Sequence, residues 1–275
     1  MTEHKKKIIV GGCPRSGTSL FADFLVQNGL RTVTDPRSSD QYPRGYHEYF
    51  PLLMFHNAME RYPRGAMHRI TDEEFLTPFL LEDEFTRQVY HQAFSPFRDD
   101  NIDFIKYPQL ALSMEFIFDK YSQIHLIGLW RNPAAVFRSL VKKEFPIEMW
   151  PASGVKAILL QSVYAHHLLK AQQKYPDRVT IYEIDHLINK EIDLGPELKR
   201  LGYDVEGTCP LTRFIDADIW TKRVPLLWYL YYISMKILVF ILFPFFPDRK
   251  KKFSRLGKFN QQILRVCYGS HHSDF

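Results

Sequence analysis

A short apolar strand, a glycine-containing loop and a helix start follow one another within residues 8–20. Residues 8–10 predict a buried strand, and the helix after the loop is expected to end at Asn28-Gly29. The core-facing row of that helix is Leu20, Phe21, Phe24 and Leu25. The loop leaves the first N–H groups of the helix unpaired at the positive end of its dipole. The segment therefore predicts an anion site within an α/β protein.

The loop also carries side chains suited to an anion. Thr18 and Ser19 supply hydroxyl donors, and a charge-assisted bond to the planar Arg15 fork contributes roughly 1.5–3 kcal/mol. Gly12 and Gly17 keep the glycine spacing of the nucleotide-triphosphate loop G-x-x-x-x-G-K-[ST], but Thr18 stands where that pattern requires lysine. An ATPase or GTPase interpretation is weakened accordingly.

A second segment points to the same edge of the predicted sheet. Residues 124–130 are almost continuously apolar, which is typical of a parallel strand buried on both faces. Arg131 follows directly, Asn132 is a suitable N-cap, and Pro133 suits the first position of a helix over 133–141 that carries Ser139. Arg131 thus stands at a strand's carboxyl end, where open parallel sheets bind ligands.

The two segments together resemble the donor loops of sulfotransferases, which use 3′-phosphoadenosine 5′-phosphosulfate (PAPS) as sulfuryl donor. Residues 12–19 look like their 5′-phosphosulfate loop, and residues 131–133 with Ser139 look like their 3′-phosphate site. The loop is similar to that of the bacterial and tyrosylprotein branch, whereas the cytosolic small-molecule branch carries lysine at the position of Arg15. The likeness covers about residues 8–190. It implies a P-loop-like three-layer α/β sandwich with a central, mainly parallel sheet.

The resemblance also implies roles for individual residues. Arg15 and Lys106, the latter within the similar segment 104–108, would stabilise charge that develops during transfer. Arg131 and Ser139 would hold the 3′-phosphate. The predicted donor-binding residues are Pro14, Arg15, Ser16, Gly17, Thr18, Ser19, Arg131, Ser139 and Tyr182. No metal belongs to this scheme, because fixed cations and backbone amides take its place.

A base must accept the proton of the acceptor hydroxyl. Residues 42–48 resemble the family segment that presents an acidic base, which makes Glu48 the third predicted catalytic residue beside Arg15 and Lys106. The neighbouring His47 is the alternative base.

Length and composition indicate one sizeable globular unit: 275 residues, 45% hydrophobic and 24% charged. We expect a sulfotransferase-type domain over 1–220, with a helical insertion over 50–100 that either contacts the acceptor or forms a cap without substrate contact. A helix over 152–175 and a strand over 178–182 should complete the core. The three scattered cysteines give neither zinc spacing nor a disulfide framework, which favours a reducing compartment.

Residues 221–275 predict a hydrophobic and basic helical extension. Residues 224–247 are long enough to span a bilayer, but Lys236 and three prolines interrupt them. Apolar residues then recur at helical spacing among Lys and Arg, as in surface-binding helices: Phe253, Leu256, Phe259, Ile263 and Leu264. We expect residues 224–268 to lie in a membrane interface on the cytoplasmic side. A Golgi-type membrane, or packing on the core or a second subunit, is the alternative.

The net charge of +5 lies largely in Lys5–Lys7 and Arg249–Lys252, which suits an anionic donor and a membrane surface better than nucleic acid. The sequence thus predicts a PAPS-dependent sulfotransferase whose acceptor is a carbohydrate, glycolipid or protein hydroxyl. Two other classes stay open, a P-loop kinase or similar phosphotransferase and a non-catalytic, membrane-associated nucleotide-binding protein.

Overall fold

Four parallel strands form the centre of the computed structural model, which describes residues 5–33, 91–112, 114–143, 152–206, 210–214 and 224–242. The strands are β1 (Lys7–Gly12), β2 (Phe104–Lys106), β3 (Ile124–Trp130) and β4 (Val179–Glu183), in the order β2-β1-β3-β4. Every residue of the first three strands is buried, which accounts for their nearly unbroken apolar sequences.

Besides the helical residues 91–94, seven helices with both ends described surround this sheet. They are α1 (Thr18–Gln27), α2 (Met114–Lys120), α3 (Pro133–Lys143), α4 (Ala152–Lys174), α5 (Ile184–Asn189), α6 (Gly195–Arg200) and α7 (Leu226–Leu242). Short 3₁₀ turns lie at Ser95–Phe97, Pro108–Leu112, Pro176–Arg178 and Leu211–Phe214.

Alternate residues of the strands belong to two separate hydrophobic clusters, one on each face of the sheet. Ile9 and Leu126 pack with α2, α3 and α4 on one face of the sheet. Ile8, Val10 and Ile127 pack with α1, α5 and α6 on the other. Since successive side chains of a strand point to opposite faces, helices cover the sheet on both sides. The predicted three-layer α/β fold is confirmed.

The elements with strong sequence patterns lie close to their predicted bounds. β3 matches 124–130, α4 ends one residue before the predicted 175, and β4 begins and ends one residue later than predicted. In α1, Phe21, Phe24 and Leu25 are buried, and the helix gives way to Asn28 and a left-handed Gly29 as expected. Most of the predicted insertion over 50–100 lies outside the described residues, and only 91–100 are described.

The strand order predicts a ligand crevice at the carboxyl ends of β1 and β3. β1 lies between β2 and β3, so the chain leaves β1 for one side of the sheet and later crosses to the other. Loops that leave neighbouring strands in opposite directions separate and open a ligand cleft. The loop after β1 and the turn 131–133 after β3 flank that crevice.

The opposite edge of the sheet is held by a polar network around Asp103. Its carboxylate accepts hydrogen bonds from Lys5 Nζ (2.7 Å), the Arg31 backbone N–H (2.8 Å) and Arg31 Nε (3.1 Å). The Tyr203 hydroxyl lies 2.8 Å from the Asp103 carbonyl oxygen. Burial by itself would raise the pKa of Asp103, but the bonds from Arg31 and Lys5 outweigh it and hold that pKa below its usual range.

Helix α7 packs against α3 and α4 with its aromatic face. The rings of Tyr231 and Tyr232 lie edge-on to Phe137 of α3, with centroids 4.9 and 5.6 Å away, and the Trp228 ring lies 6.3 Å away. Across the described ranges, we find no helix with both the length and the apolar character needed to cross a membrane.

Candidate active site

The loop between β1 and α1 turns sharply through residues with left-handed backbone. Arg15 has φ 72° and Gly17, the N-cap of α1, has φ 98°. A non-glycine residue in this region costs about 1–2 kcal/mol, so the surrounding structure must hold Arg15 in place. No side chain of the described residues caps the amino end of α1 at Gly17. The first-turn N–H groups of α1 therefore remain directed at the loop.

Ser16 is the clearest sign of a ligand in this loop. Its side chain is fully buried, and Oγ finds no hydrogen-bond partner among the described residues. An unsatisfied buried hydroxyl costs about 1–3 kcal/mol, and native structures rarely retain one without a reason. An anion oxygen seated against the amino end of α1 would supply the missing acceptor.

Arg15 connects the loop directly to the helix after β3. Its Nε donates a hydrogen bond to Ser139 Oγ on α3, at 3.0 Å. The resemblance to sulfotransferases assigned these two residues to different ends of the donor and did not predict their contact. The structure thus brings the predicted 5′-phosphosulfate loop and the helix of the predicted 3′-phosphate site into contact at one edge of the sheet.

Arg131 lies deep in the same edge and faces a carboxylate. Its Nε is 3.4 Å from Asp185 Oδ1, just past β4. Asp185 Oδ2 accepts a hydrogen bond from the Asn132 backbone N–H (3.0 Å). Asn132 Oδ1 in turn accepts from the Ala134 N–H (3.0 Å), so Asn132 caps α3 as predicted. These bonds fix the turn in which Arg131 stands.

The electrostatics of this edge favour an anion. Burial is the largest influence on Arg131 and lowers its pKa, whereas Asp185 raises it. The positive charges of Arg15 and Arg138 lower that pKa further, which shows that three guanidinium groups act on one region. Within the described residues, no group of three or more His, Cys, Asp or Glu could hold a metal ion.

Lys106 ends β2, beside Val10 of the central strand. From the sequence, this lysine could simply have reached out to solvent, but the structure leaves it only 1% exposed. A buried ammonium group is costly unless other groups compensate its charge, so a lysine in this position has a specific task in the fold or in the site. Its predicted contact with the sulfuryl group stays a prediction.

The remaining predicted residues are spread over the site and beyond it. Thr18 is buried in the first turn of α1, and Pro14 and Ser19 are partly buried beside it. Tyr182 lies next to Leu129 in the sheet, where it packs on the α1-side cluster, and burial raises the pKa of its hydroxyl. Glu48 and the alternative base His47 lie outside the described residues, as does the basic segment after α7. The roles of all these residues stay predictions.

The sequence interpretation missed two residues next to Arg131. Asp185 carried a signal, because it follows the end of a strand that neighbours β3, where carboxyl-end side chains meet. Tyr229 of α7, whose hydroxyl accepts a hydrogen bond from Asn132 Nδ2 at 2.8 Å, carried none. Its apolar surroundings in the sequence gave no indication that it reaches the site.

The four parallel strands with helices on both faces define a doubly wound α/β protein, and the Arg15 loop and the Arg131 turn lie at its switch point, where such folds bind their ligands. A family model described as "Sulfotransferase family" matches residues 7–186, which include both turns and Lys106. The chain belongs to the sulfotransferase family.

Several solved structures resemble the chain. Sulfotransferase STF9 from Mycobacterium avium is 15% identical, with 89% of this chain and 76% of that chain covered and a TM-score of 0.47. The sulfotransferase domain of the Synechococcus PCC 7002 olefin synthase is 18% identical, with 85% and 94% covered and a TM-score of 0.45. Sulfotransferase STF1 from Mycobacterium tuberculosis H37Rv is 12% identical, with 85% and 78% covered and a TM-score of 0.46. A search of curated protein sequences finds no match.

Proposed function

We propose that the chain transfers a sulfuryl group from PAPS to an acceptor hydroxyl, borne by a carbohydrate or glycolipid, through in-line displacement. The observation that carries this proposal is the contact between the Arg15 loop and the Ser139 helix, with Arg131 acting on the same region. Family membership supports sulfuryl transfer as the reaction.

The site suits a ligand that is anionic at both ends. The buried Ser16 hydroxyl, the uncapped amino end of α1 and Arg15 would hold the phosphosulfate end. Arg131 and Ser139 would hold the 3′-phosphate. Both groups of donors are rigidly attached to strand ends, so binding requires little reorganisation.

PAPS, when bound, supplies the sulfuryl group and departs as 3′-phosphoadenosine 5′-phosphate (PAP). The S–O bond to the 5′-phosphate breaks while the acceptor oxygen bonds to sulfur. Arg15 and Lys106 would offset the negative charge that grows on the departing oxygen. Glu48 would accept the acceptor's proton, which requires an ionised carboxylate within hydrogen-bond reach. Catalysis then consists of positioning and charge stabilisation, as in phosphoryl transfer.

Ligand binding tests the donor without knowledge of the acceptor. Thermal shift and calorimetry with PAP, ATP–Mg²⁺ and GDP should show stabilisation by PAP alone, since a ligand that binds only the folded state raises the melting temperature. Arg15→Ala should weaken PAP binding at least tenfold. Arg98→Ala, which removes an exposed arginine remote from the crevice, serves as the matched control and should change nothing. Stabilisation by ATP–Mg²⁺ and not by PAP would assign the chain to the phosphotransferases instead.

Two conservative substitutions separate the candidate bases. With ³⁵S-labelled PAPS and a panel of oligosaccharides and lipid extracts, Glu48→Gln should abolish label transfer while PAP affinity stays unchanged. His47→Gln should retain transfer. The reverse pattern would make His47 the base. If neither variant nor Lys106→Ala alters transfer, the residues proposed for catalysis are wrong.

A further inference from the structure

Helix α7 has a second face, opposite its aromatic one, that the fold leaves exposed. The apolar side chains on it are between 49% and 78% exposed. We call them the α7 stripe: Leu226, Leu227, Leu230, Ile233, Ile237 and Phe240. Their spacing of mostly three or four residues places them along one side of the helix.

The α7 stripe stands out from the rest of the described surface. The other large hydrophobic side chains with comparable exposure in the described ranges are Val26, at 39%, and Val33, at 37%. Scattered single residues of that kind are ordinary, but a contiguous apolar patch marks an interaction surface. The charge of the surrounding sequence indicates which partner the stripe contacts.

We propose that the α7 stripe docks onto an anionic lipid bilayer, with α7 lying in the plane of the headgroup interface. The chain from residue 219 to residue 273 contains ten Lys and Arg but a single acidic residue, Asp248. Seven of those cations lie after the helix in the sequence, between Arg249 and Arg265. Near an anionic membrane each such cation adds to the attraction.

The same charges disfavour a second copy of the chain as the partner. Two copies of the chain carry the same excess of positive charge, so a symmetric dimer through the α7 stripe would join like-charged partners. A bilayer rich in anionic lipid turns that charge into attraction. Charge complementarity therefore selects the membrane.

The side chains that border the α7 stripe are lysines and aromatic residues, which are typical of a membrane–water interface. Lys142 Nζ lies 5.6 Å from the centroid of the Trp228 ring, and Lys236 Nζ lies 5.3 Å from that of Tyr232. Amphipathic aromatic rings prefer the headgroup level, and long lysine side chains extend from apolar surroundings to phosphate. The border would anchor α7 at that depth.

The docked helix begins beside the proposed donor site. Tyr229 of α7 accepts the hydrogen bond from Asn132, the residue after Arg131. Docking would therefore hold the crevice near the lipid headgroups, which makes a lipid-borne hydroxyl the acceptor. This last step rests on the proposed function, whereas docking itself does not.

Flotation of the full chain with vesicles tests the docking surface. Wild-type protein should float with phosphatidylcholine vesicles that contain phosphatidylserine, and much less with phosphatidylcholine alone or at high salt. The double variant Leu230→Glu/Ile237→Glu should lose at least tenfold in vesicle binding, because both side chains enter the apolar layer. Val26→Glu, an equally drastic change at an exposed apolar position on α1, is the matched control and should float like wild type.

The outcomes distinguish the partners. Undiminished flotation of the double variant would overturn the proposal. So would a wild-type dimer in light scattering that the double variant dissociates while flotation is unaffected, because the stripe would then be a subunit interface.

A combined measurement keeps docking and donor chemistry apart. The double variant should bind PAP like wild type yet lose label transfer to vesicle lipids. Flotation without any PAP binding would leave docking in place and remove the proposed function. PAP binding without flotation would support the proposed donor and overturn the docking proposal.

Discussion

The two edges of the sheet treat their polar groups in opposite ways. At the amino edge, the Asp103 carboxylate accepts several bonds, and the Lys7 ammonium donates to the carbonyl oxygens of Pro96 and Asp99. At the carboxyl edge, Arg15 is held in a left-handed conformation and the buried Ser16 hydroxyl lacks a partner in the described residues. The charged groups at the amino edge are thus bound by other groups of the chain, whereas the Ser16 hydroxyl at the carboxyl edge could bind a ligand.

The contrast extends to other strand ends. Gln109 Oε1 after β2 and Glu183 Oε2 at the end of β4 are also buried without a hydrogen-bond partner among the described residues. Thr32 Oγ1, beside β2, is one such atom at the amino edge. Since unsatisfied buried groups lower stability, their concentration at the carboxyl edge supports the proposal that this edge binds the ligand while the amino edge contributes stability.

The largest expected effect tests the carboxyl edge. Arg15→Ala should lower turnover with PAPS by about 10³-fold, because it removes a positioned cation that acts on transition-state charge. The melting temperature without ligand should change little, because alanine keeps the left-handed backbone, and the loss of the bond to Ser139 is offset by the removal of a positive charge that acts on Arg131. Initial rates with labelled PAPS and a thermal scan measure the two effects. An unchanged rate would break the division proposed for the two edges.

An acid titration probes the part of β3 far from the crevice. Burial, followed by the positive charge of Arg200, lowers the pKa of His125 to about 4; Glu197 opposes this shift, while Lys6 and Arg178 add to it. The folded state thus binds fewer protons than the unfolded chain, whose histidine pKa is about 6.5. The free energy of unfolding should therefore fall by about 3 kcal/mol between pH 6.5 and pH 4. Below pH 4, protonation of His125 should cause no further loss.

Chemical denaturation across this pH range measures the loss. His125→Gln should flatten it, because the substituted residue carries no titrating group. An equally steep profile in the variant would assign the acid sensitivity to other groups.

A truncation at the amino edge should give a smaller loss of stability. Asp103→Ala leaves the Arg31 amide and the Lys5 ammonium without their acceptor and should destabilise the fold by about 2 kcal/mol. PAP affinity of the folded protein should not change. Urea denaturation measures the free energy of unfolding, and calorimetry measures the PAP affinity. A loss of PAP affinity in this variant would show that the amino edge also affects ligand binding.

The smallest expected effect is that of Ser16→Ala, which should change stability and ligand binding in opposite directions. Ser16→Ala removes a buried hydroxyl that no described residue satisfies, so the unliganded protein should gain up to about 1 kcal/mol of stability. The same variant should bind PAP about tenfold more weakly. Denaturation with and without PAP tests both statements together, and lower stability of the unliganded variant would contradict the assigned lack of a partner.

The sequence predicted those parts of the molecule in which local pattern and packing agree. The continuous apolar run of β3, the Asn132 cap of α3 and the amphipathic row of α1 each specify an element and its bounds. The burial of Lys106 and the Arg15–Ser139 contact depend on how distant segments meet, so neither could be inferred from spacing. Helix α7 is apolar on both faces, and periodicity therefore could not separate its packed side from its exposed one.

The central position of β1 has a consequence for the synthesis of the chain. This strand leaves the ribosome before the other three strands of the sheet, and its two pairing partners begin only at Phe104 and Ile124. At translation rates of about 5–20 residues per second, the strand stays unpaired for roughly 5–20 s. During that interval a largely apolar segment stays exposed in an unfinished polypeptide, which makes the nascent protein a client for chaperones that shield such segments from aggregation.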